Sequence, residues 1–147
     1  MLTDIRFTLL LCLTVLLTAG KPVGEEGIKL SITNLRNNNG HVLVSLFKDG
    51  AGYPDDVAKA FRTAKLEILD KKATVLFSGL PSGSYAISIL HDENNDQRMN
   101  KSFLGLPKEG YGFSNNVIGA FGPPGYNRAS FRHASNTLTQ VSIRVKY

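Results

Sequence analysis

The chain has 147 residues, 42% of them hydrophobic and 20% charged, which is the composition of one ordinary globular domain and excludes a disordered or fibrous chain. Its net charge of +5 comes from scattered basic residues, with Lys71 and Lys72 as the only adjacent pair. Because the sequence contains no basic helix face and no Arg-rich segment, it does not indicate a nucleic-acid partner.

Residues 1–20 have the layout of a signal peptide. Arg6 precedes an apolar run over residues 7–17, and the small residues Thr18, Ala19 and Gly20 follow it. The run is too short to span a bilayer comfortably, although a single membrane anchor is the alternative. We therefore expect an exported bacterial protein whose mature part, residues 21–147, forms one domain with no membrane span.

Cysteine use agrees with export to a bacterial envelope. The only cysteine, Cys12, lies inside the apolar run, so the mature chain would contain none. A disulfide, a catalytic thiol and a cysteine-based zinc site are then excluded. A secreted chain without disulfides suits a bacterial envelope better than a small eukaryotic secreted module.

The first strands are predicted from alternating apolar residues. Ile28, Leu30 and Ile32 alternate with polar residues, which is the period of a half-buried strand. Asn39-Gly40 is a strong hairpin signal, so we expect residues 41–47 to return as the second strand of a hairpin.

The next elements are one short helix and three strands. We expect the helix to begin at Pro54 and to place Val57 and Phe61 on one face, at a spacing of four. Strands are predicted over residues 64–69, 74–77 and 84–91, with a turn at 70–72 and a tight corner at 79–83.

The stretch from residue 91 to 126 has no clear period and predicts one long ordered connection. Two further strands are predicted after it, over residues 129–133 and 137–147. About seven short strands separated by turn signals predict an all-β fold, an antiparallel Ig-like or prealbumin-like β-sandwich with one short helix and a long ordered loop.

A series of motifs strengthens that prediction. The corner GLPSGSYA at 79–86 resembles that of prealbumin-like and Cna-B-like sandwich domains, and HDENN at 91–95, GLPKEGYGFSNN at 105–116 and FGPP at 121–124 follow it. Together they resemble a family of small secreted bacterial proteins catalogued as a domain of unknown function. The resemblance covers residues 28–147 and implies an exported β-sandwich in the bacterial envelope, without an established activity.

The acidic part of this series suggests a possible metal site. Side-chain oxygens at alternate positions of a tight loop suit calcium, which takes six to eight oxygen ligands. The family usually continues as HDENGNGKLD, whereas this chain has HDENNDQRMN, with Gln97 where a calcium loop has glycine. The alternative is an Asx-rich turn in which these side chains bind nearby backbone amides. The candidate ligands are Asp92, Asn94, Asp96 and Asn100.

The rest of the long stretch is a candidate binding surface. Aromatic side chains among Gly, Asn and Ser at the end of a sandwich suit recognition of a glycan or a protein of the envelope. The alternative is that the aromatic residues form the loop's own small core. The candidate binding residues are His91, Glu109, Tyr111, Phe113, Asn115, Asn116 and Tyr126.

Enzyme signatures are missing from the sequence. It contains no G-x-S-x-G, no H-E-x-x-H and no phosphate-binding glycine loop, and only a carboxylate pair such as Asp92 with Glu109 offers acid–base chemistry. We expect a non-catalytic exported envelope module without a cofactor. A calcium-stabilised sandwich and a cryptic hydrolase are the alternatives.

Overall fold

The fold comes from a computed structural model, which describes residues 24–147; the predicted signal peptide lies outside these residues. Two sheets pack face to face and form an all-β sandwich, so the predicted fold class is confirmed. No helix within residues 24–147 has the length and apolar character needed to cross a bilayer. The strands are β1 (Gly27–Thr33), β2 (His41–Lys48), β3 (Arg62–Leu66), β4 (Ala73–Phe77), β5 (Gly83–Asp92), β6 (Gly110–Phe113), β7 (Phe131–His133) and β8 (Leu138–Arg144), and one short helix, α1 (Tyr126–Ala129), precedes β7.

One sheet has three strands in the order β4-β1-β8. β1 pairs antiparallel with β4 but parallel with β8, with Leu30 opposite Val141, so this pair departs from the antiparallel arrangement that we predicted. The other sheet runs β3-β2-β5, and both β6 and β7 pair antiparallel with the same edge of β5.

The core lies between the sheets and follows the predicted alternation. Leu30 of β1 and Ile143 of β8 pack in the same buried cluster as Val44 of β2 and Ile87 of β5. Since successive strand residues point to opposite faces, every second residue of these strands reaches the core. The period-2 pattern therefore identified the inward faces correctly.

The predicted hairpin between the first two strands is wrong. β1 and β2 belong to different sheets, because both edges of β1 are occupied by β4 and β8. The turn itself does form: Gly40 has a φ of 64°, and a Cβ there would lie 1.8 Å from the carbonyl oxygen of Asp92. Turn chemistry specifies a reversal of the chain but not the sheet that the next strand joins.

The predicted short helix is also wrong in its details. Only Val57–Lys59 forms a 3₁₀ turn, and Ala60 is already extended, so Val57 and Phe61 do not share a helix face. Val57 is 58% exposed, whereas Phe61 packs against the main core. The turn that we predicted at residues 70–72 is present, with Asp70 and Lys71 both at positive φ.

The long connection contains a strand that we did not predict. β6 pairs with β5, with Gly112 opposite Ile89, and a Cβ at Gly112 would lie 2.5 Å from Cγ2 of Ile143. On its other side, the backbone of Tyr111 exchanges two hydrogen bonds of 2.8 Å with Lys146. β6 thus connects the edge of the five-stranded sheet to the chain that leaves the three-stranded sheet.

Candidate functional site

Asp92 fixes the start of the loop that follows β5. Its side chain is buried; Oδ1 accepts a hydrogen bond from the backbone N–H of Asp96 (3.1 Å), and Oδ2 accepts one from Gln97 (3.0 Å). Both carboxylate oxygens therefore pair with backbone donors four and five residues further along the same loop. Asn94 and Asp96 form the Asx turns of this loop, because each accepts the N–H two residues on.

The other three predicted ligands lie beside one another and bind one another. Asn94 Nδ2 donates to Asp96 Oδ2 (3.0 Å) and to Asn100 Oδ1 (2.9 Å), and Asn100 Nδ2 donates to Asp96 Oδ2 (2.8 Å). Asp96 Oδ1 accepts the backbone N–H of Arg98 (2.9 Å). The hydrogen bond from Asn100 is the main cause of a lowered pKa for the exposed Asp96 carboxylate.

The structure thus brings the side chains of Asn94, Asp96 and Asn100 into contact, and Asp92 binds the backbone of the same loop. Within residues 24–147, however, no group of three or more His, Cys, Asp or Glu side chains is placed to hold a metal ion. The two carboxylates, Asp92 and Asp96, already accept backbone and amide donors. These contacts support the Asx-rich turn, which was the alternative to calcium.

Glu109 ties the two ends of the loop together. The residue is buried; its Oε1 accepts the backbone N–H of Glu93 (3.0 Å), and its Oε2 accepts that of Asn100 (3.1 Å). A buried carboxylate needs such donors, because an unpaired one would cost several kcal/mol. Glu109 therefore stabilises the base of the loop and presents little of its side chain to a ligand.

Arg36, which the sequence did not indicate, also links the two ends of this loop. Arg36 binds the Glu93 carboxylate with two atoms: Nε donates to Oε1 (2.9 Å), and Nη2 contacts Oε2. Nη2 also donates to the Lys108 carbonyl (3.1 Å). The guanidinium carbon lies 4.5 Å from the ring centroid of Tyr147. The Arg36 hydrogen bond lowers the pKa of Glu93. Arg36 and Glu93 are 57 residues apart, so only the fold could reveal the pair.

These side chains line a shallow cavity of about 440 Å³. Its lining is entirely polar or charged: Arg36, Glu93, Asn94, Asn100, Lys101, Lys108 and Glu109.

His91 is a buried structural residue. Its Nε2 donates to the carbonyl of Asn39 (2.9 Å), and its Nδ1 shares a hydrogen bond of 2.7 Å with the hydroxyl of Tyr147. That hydroxyl also accepts the backbone N–H of Arg36 (2.9 Å). Both ring nitrogens of His91 therefore have hydrogen-bond partners within the fold. His91 is therefore not exposed to a ligand.

The predicted aromatic residues form a second small core on the outer face of the five-stranded sheet. Phe113, only 8% exposed, and Tyr126 pack with Ala86 and Ala129, and both rings meet Tyr53 edge-on, at centroid distances of 6.2 Å and 5.8 Å. The ring of Tyr111 also packs against this cluster. The structure favours the alternative in which these rings stabilise their own segment.

The two asparagines that follow Phe113 bind backbone groups. Asn115, at a φ of 61°, donates to the carbonyls of Arg128 (3.1 Å) and Ser130 (2.9 Å). Asn116 donates to the Ser142 carbonyl (3.0 Å) and accepts the N–H of Arg144 (2.7 Å) of β8. Asn115 thus binds the end of α1 and Asn116 binds β8, so both side chains have a structural role.

The exposed part of the stretch is a hairpin that sequence reasoning missed. Residues 100–108, here called the tip hairpin, are joined by a bridge between Lys101 and Pro107. At its end Phe103 is 100% exposed, Leu104 74% and Leu106 61%. The only sequence signal was an apolar Phe-Leu pair just before Gly105, and we interpreted it as part of an ordered, self-packed loop.

Together, these features describe a β-sandwich with a polar, self-bonded loop that ends in an apolar tip. The model of the family described as "Uncharacterized protein conserved in bacteria (DUF2141)" matches residues 30–141, and the chain belongs to that family. Comparison with curated proteins and with solved structures gives no match. The family thus agrees with the resemblance that the sequence motifs suggested, whereas the prealbumin-like and Cna-B-like likeness stays a prediction.

Proposed function

We propose that this protein is a non-catalytic, exported module that binds a surface component of the bacterial envelope through the tip hairpin. The observation that carries this proposal is the exposure of three large apolar side chains, Phe103, Leu104 and Leu106, within four consecutive residues of one hairpin. The other large apolar side chains of residues 24–147 that are more than half exposed lie on three separate segments: Val57, Leu69 and Phe121. Clustered exposed apolar residues on a soluble domain mark interaction sites.

The polar residues beside the tip support binding rather than catalysis. Asp92 and Glu109, the carboxylates with which acid–base chemistry was considered, each accept two backbone N–H groups. A general acid or base must instead have an oxygen free to reach a substrate proton. The loop therefore serves as a rigid support for the tip.

The contact residues that we propose differ from those that the sequence predicted. His91, Glu109 and Phe113 are buried, so the binding surface shifts to the tip hairpin. A glycan would need several hydrogen-bonding groups around a flat aromatic face, whereas the tip presents mainly apolar side chains. An apolar or amphipathic envelope component fits this surface better.

Co-sedimentation of the purified protein with bacterial envelope fragments tests the proposal. The variant F103S/L104S/L106S should lose most of the bound fraction. Leu69→Ser is the matched control, because Leu69 is 75% exposed on a turn outside the stretch, and it should bind like the wild type. Equal binding of the wild type and the tip variant would contradict the proposal.

For the loop itself, we propose that its own hydrogen bonds stabilise it and that no resident cation is needed. The support is the pairing of Asp92, Asn94, Asp96 and Asn100 among themselves and with backbone amides. Thermal unfolding should then have the same midpoint in EDTA and in millimolar calcium. A midpoint that rises with calcium would favour the calcium-stabilised sandwich, since a ligand bound only to the folded state must raise stability.

A further inference from the structure

The two central residues of the turn in the tip hairpin are not residue types that favour turn formation. Gly105 N–H donates to the carbonyl of Ser102 (2.9 Å), which places Phe103 and Leu104 at the two central positions. Asn, Asp, Gly, Pro and Ser dominate such positions. Gly105 itself, at a φ of 77°, is the expected residue after the turn. The apolar pair is therefore unexplained by turn formation.

Hydrogen bonds between the two arms of the hairpin fix the position of Phe103 and Leu104. Ser102 N–H donates to Leu106 (2.8 Å), and Lys108 N–H donates to Asn100 (2.8 Å), so the two arms are cross-linked by backbone hydrogen bonds. The N–H of Asn100 is bound in turn by the buried Glu109 carboxylate (3.1 Å). Such preorganisation lowers the entropy cost of binding.

The charges of the hairpin are all positive. Lys101 and Lys108 lie one on each arm, both exposed, and residues 100–108 contain no acidic residue. Among the ion pairs of residues 24–147, neither lysine takes part. The nearby carboxylates of Glu93 and Glu109 are engaged by Arg36 and by backbone amides. An apolar end with cationic arms is complementary to an anionic, amphipathic surface.

We infer that the tip hairpin inserts Phe103, Leu104 and Leu106 into the interface of an anionic lipid bilayer, with Lys101 and Lys108 at the level of the lipid phosphates. This inference rests on the proposed function and names its partner. Apolar insertion and basic residues act together in peripheral membrane binding. Three side chains on a convex tip bury far less than the roughly 800 Å² per partner of a standard protein interface, which favours lipid over protein.

The absence of tryptophan from the chain allows a direct test. Phe103→Trp and the control Leu69→Trp each introduce a single reporter at a strongly exposed position. On addition of vesicles with equal parts of phosphatidylcholine and phosphatidylglycerol, the emission of F103W should shift to the blue and that of L69W should not. Vesicles of phosphatidylcholine alone should bind at least about tenfold more weakly, because the lysines then lack anionic lipid.

Two variants separate the apolar and charged contributions in vesicle co-sedimentation. F103S/L104S/L106S should abolish measurable binding, and K101Q/K108Q should weaken binding to the anionic vesicles about tenfold while leaving the chain folded. High salt should reduce the difference between the wild type and K101Q/K108Q, because it screens surface charge.

The outcomes distinguish this inference from the proposed function. Tip-dependent binding to envelope fragments without any F103W shift on either vesicle would overturn the lipid inference and indicate a protein or glycan partner. Vesicle binding that is unchanged in F103S/L104S/L106S would also overturn it. Loss of tip dependence with both fragments and vesicles would overturn both proposals.

Discussion

The long stretch between β5 and β7 divides into two halves that use their side chains in opposite ways. The loop half, residues 92–109, buries polar groups such as Asp92 and Glu109 and leaves Phe103 exposed. The aromatic half, residues 110–130, buries Phe113 and packs Tyr126 beside it, although Phe121 is fully exposed. Hydrogen bonds hold the loop half, whereas the aromatic half combines aromatic packing with the hydrogen bonds of Asn115 and Asn116.

The difference shows that residue type alone does not decide what is buried. The aromatic half lies along the edge and outer face of the five-stranded sheet, where a flat apolar surface is available. The loop half extends beyond the end of β5, so its residues must satisfy one another. Location in the fold therefore determines which side chains are left for function.

The largest expected effect contrasts one phenylalanine from each half. Phe113→Ala should lower the free energy of unfolding by about 3 kcal/mol, because it removes a buried ring that contacts Tyr53 and Tyr111. Phe103→Ala should leave stability unchanged, since its side chain contributes no buried area. Urea unfolding of both variants measures the contrast, and equal losses would refute the division into halves.

A second prediction concerns hydrogen bonding in the loop half. Asp92→Ala should lower the free energy of unfolding by about 2 kcal/mol, because it leaves the N–H of Gln97 without its acceptor and removes one of the two acceptors of the Asp96 N–H. Asp92→Asn is the matched control; it keeps one acceptor oxygen and should lose less. Hydrogen exchange should accelerate at both amides in the alanine variant. Unchanged exchange there would show that the turn does not depend on Asp92.

Tyr53, which lies outside the stretch but packs against the aromatic half, has a buried hydroxyl. Burial raises the pKa of Tyr53 to about 12, and within residues 24–147 its hydroxyl has no hydrogen-bond partner. Tyr53→Phe should therefore raise the free energy of unfolding by up to about 1 kcal/mol at pH 7. Above pH 10, the usual Tyr value, the unfolded chain releases this proton first, so wild-type stability should fall as pH rises towards 12.

Urea unfolding of Tyr53→Phe at neutral and alkaline pH checks both parts of that prediction. The variant should lose less stability than the wild type between pH 10 and 12. A variant that is less stable than the wild type at pH 7 would mean that the hydroxyl does have a partner.

The smallest expected effect is the acid sensitivity of the loop half. The Arg36 hydrogen bond lowers the pKa of Glu93 below its usual 4.5, so this contribution is complete above pH 4.5 and is lost as pH falls through the lowered value. Arg36 is nearly half exposed, so the effect should be only about 0.5 kcal/mol. Glu93→Gln should show a shallower loss of stability below pH 4.5; an identical acid profile would exclude the pair as a cause.

Much of the fold could be predicted because its central strands alternate clearly. β1, β2, β5 and the last strand were each found from alternate apolar residues. β6 was missed because two of its four residues are glycines, and Gly110 and Gly112 are required by the close approach of Val145 and Ile143. The sheet that each strand joins could not be predicted either, since pairing of β1 with β8 depends on residues more than a hundred positions apart.

The candidate site could be predicted only in part. The spacing of Asp92, Asn94 and Asp96 correctly indicated a tight polar loop, because Asx side chains act on amides two to five residues away. The exposed tip was missed because an apolar Phe-Leu pair normally indicates burial. Its exposure follows from the turn geometry, which the sequence specifies only weakly.

The two backbone hydrogen bonds between Tyr111 and Lys146 have a consequence for solubility. Backbone groups on the outer side of a terminal strand are a template on which a strand from another molecule can add. Here those of Tyr111 are already occupied from within the same chain. A protein that is concentrated at a surface by its protruding tip would thus gain protection against edge-to-edge aggregation with its neighbours.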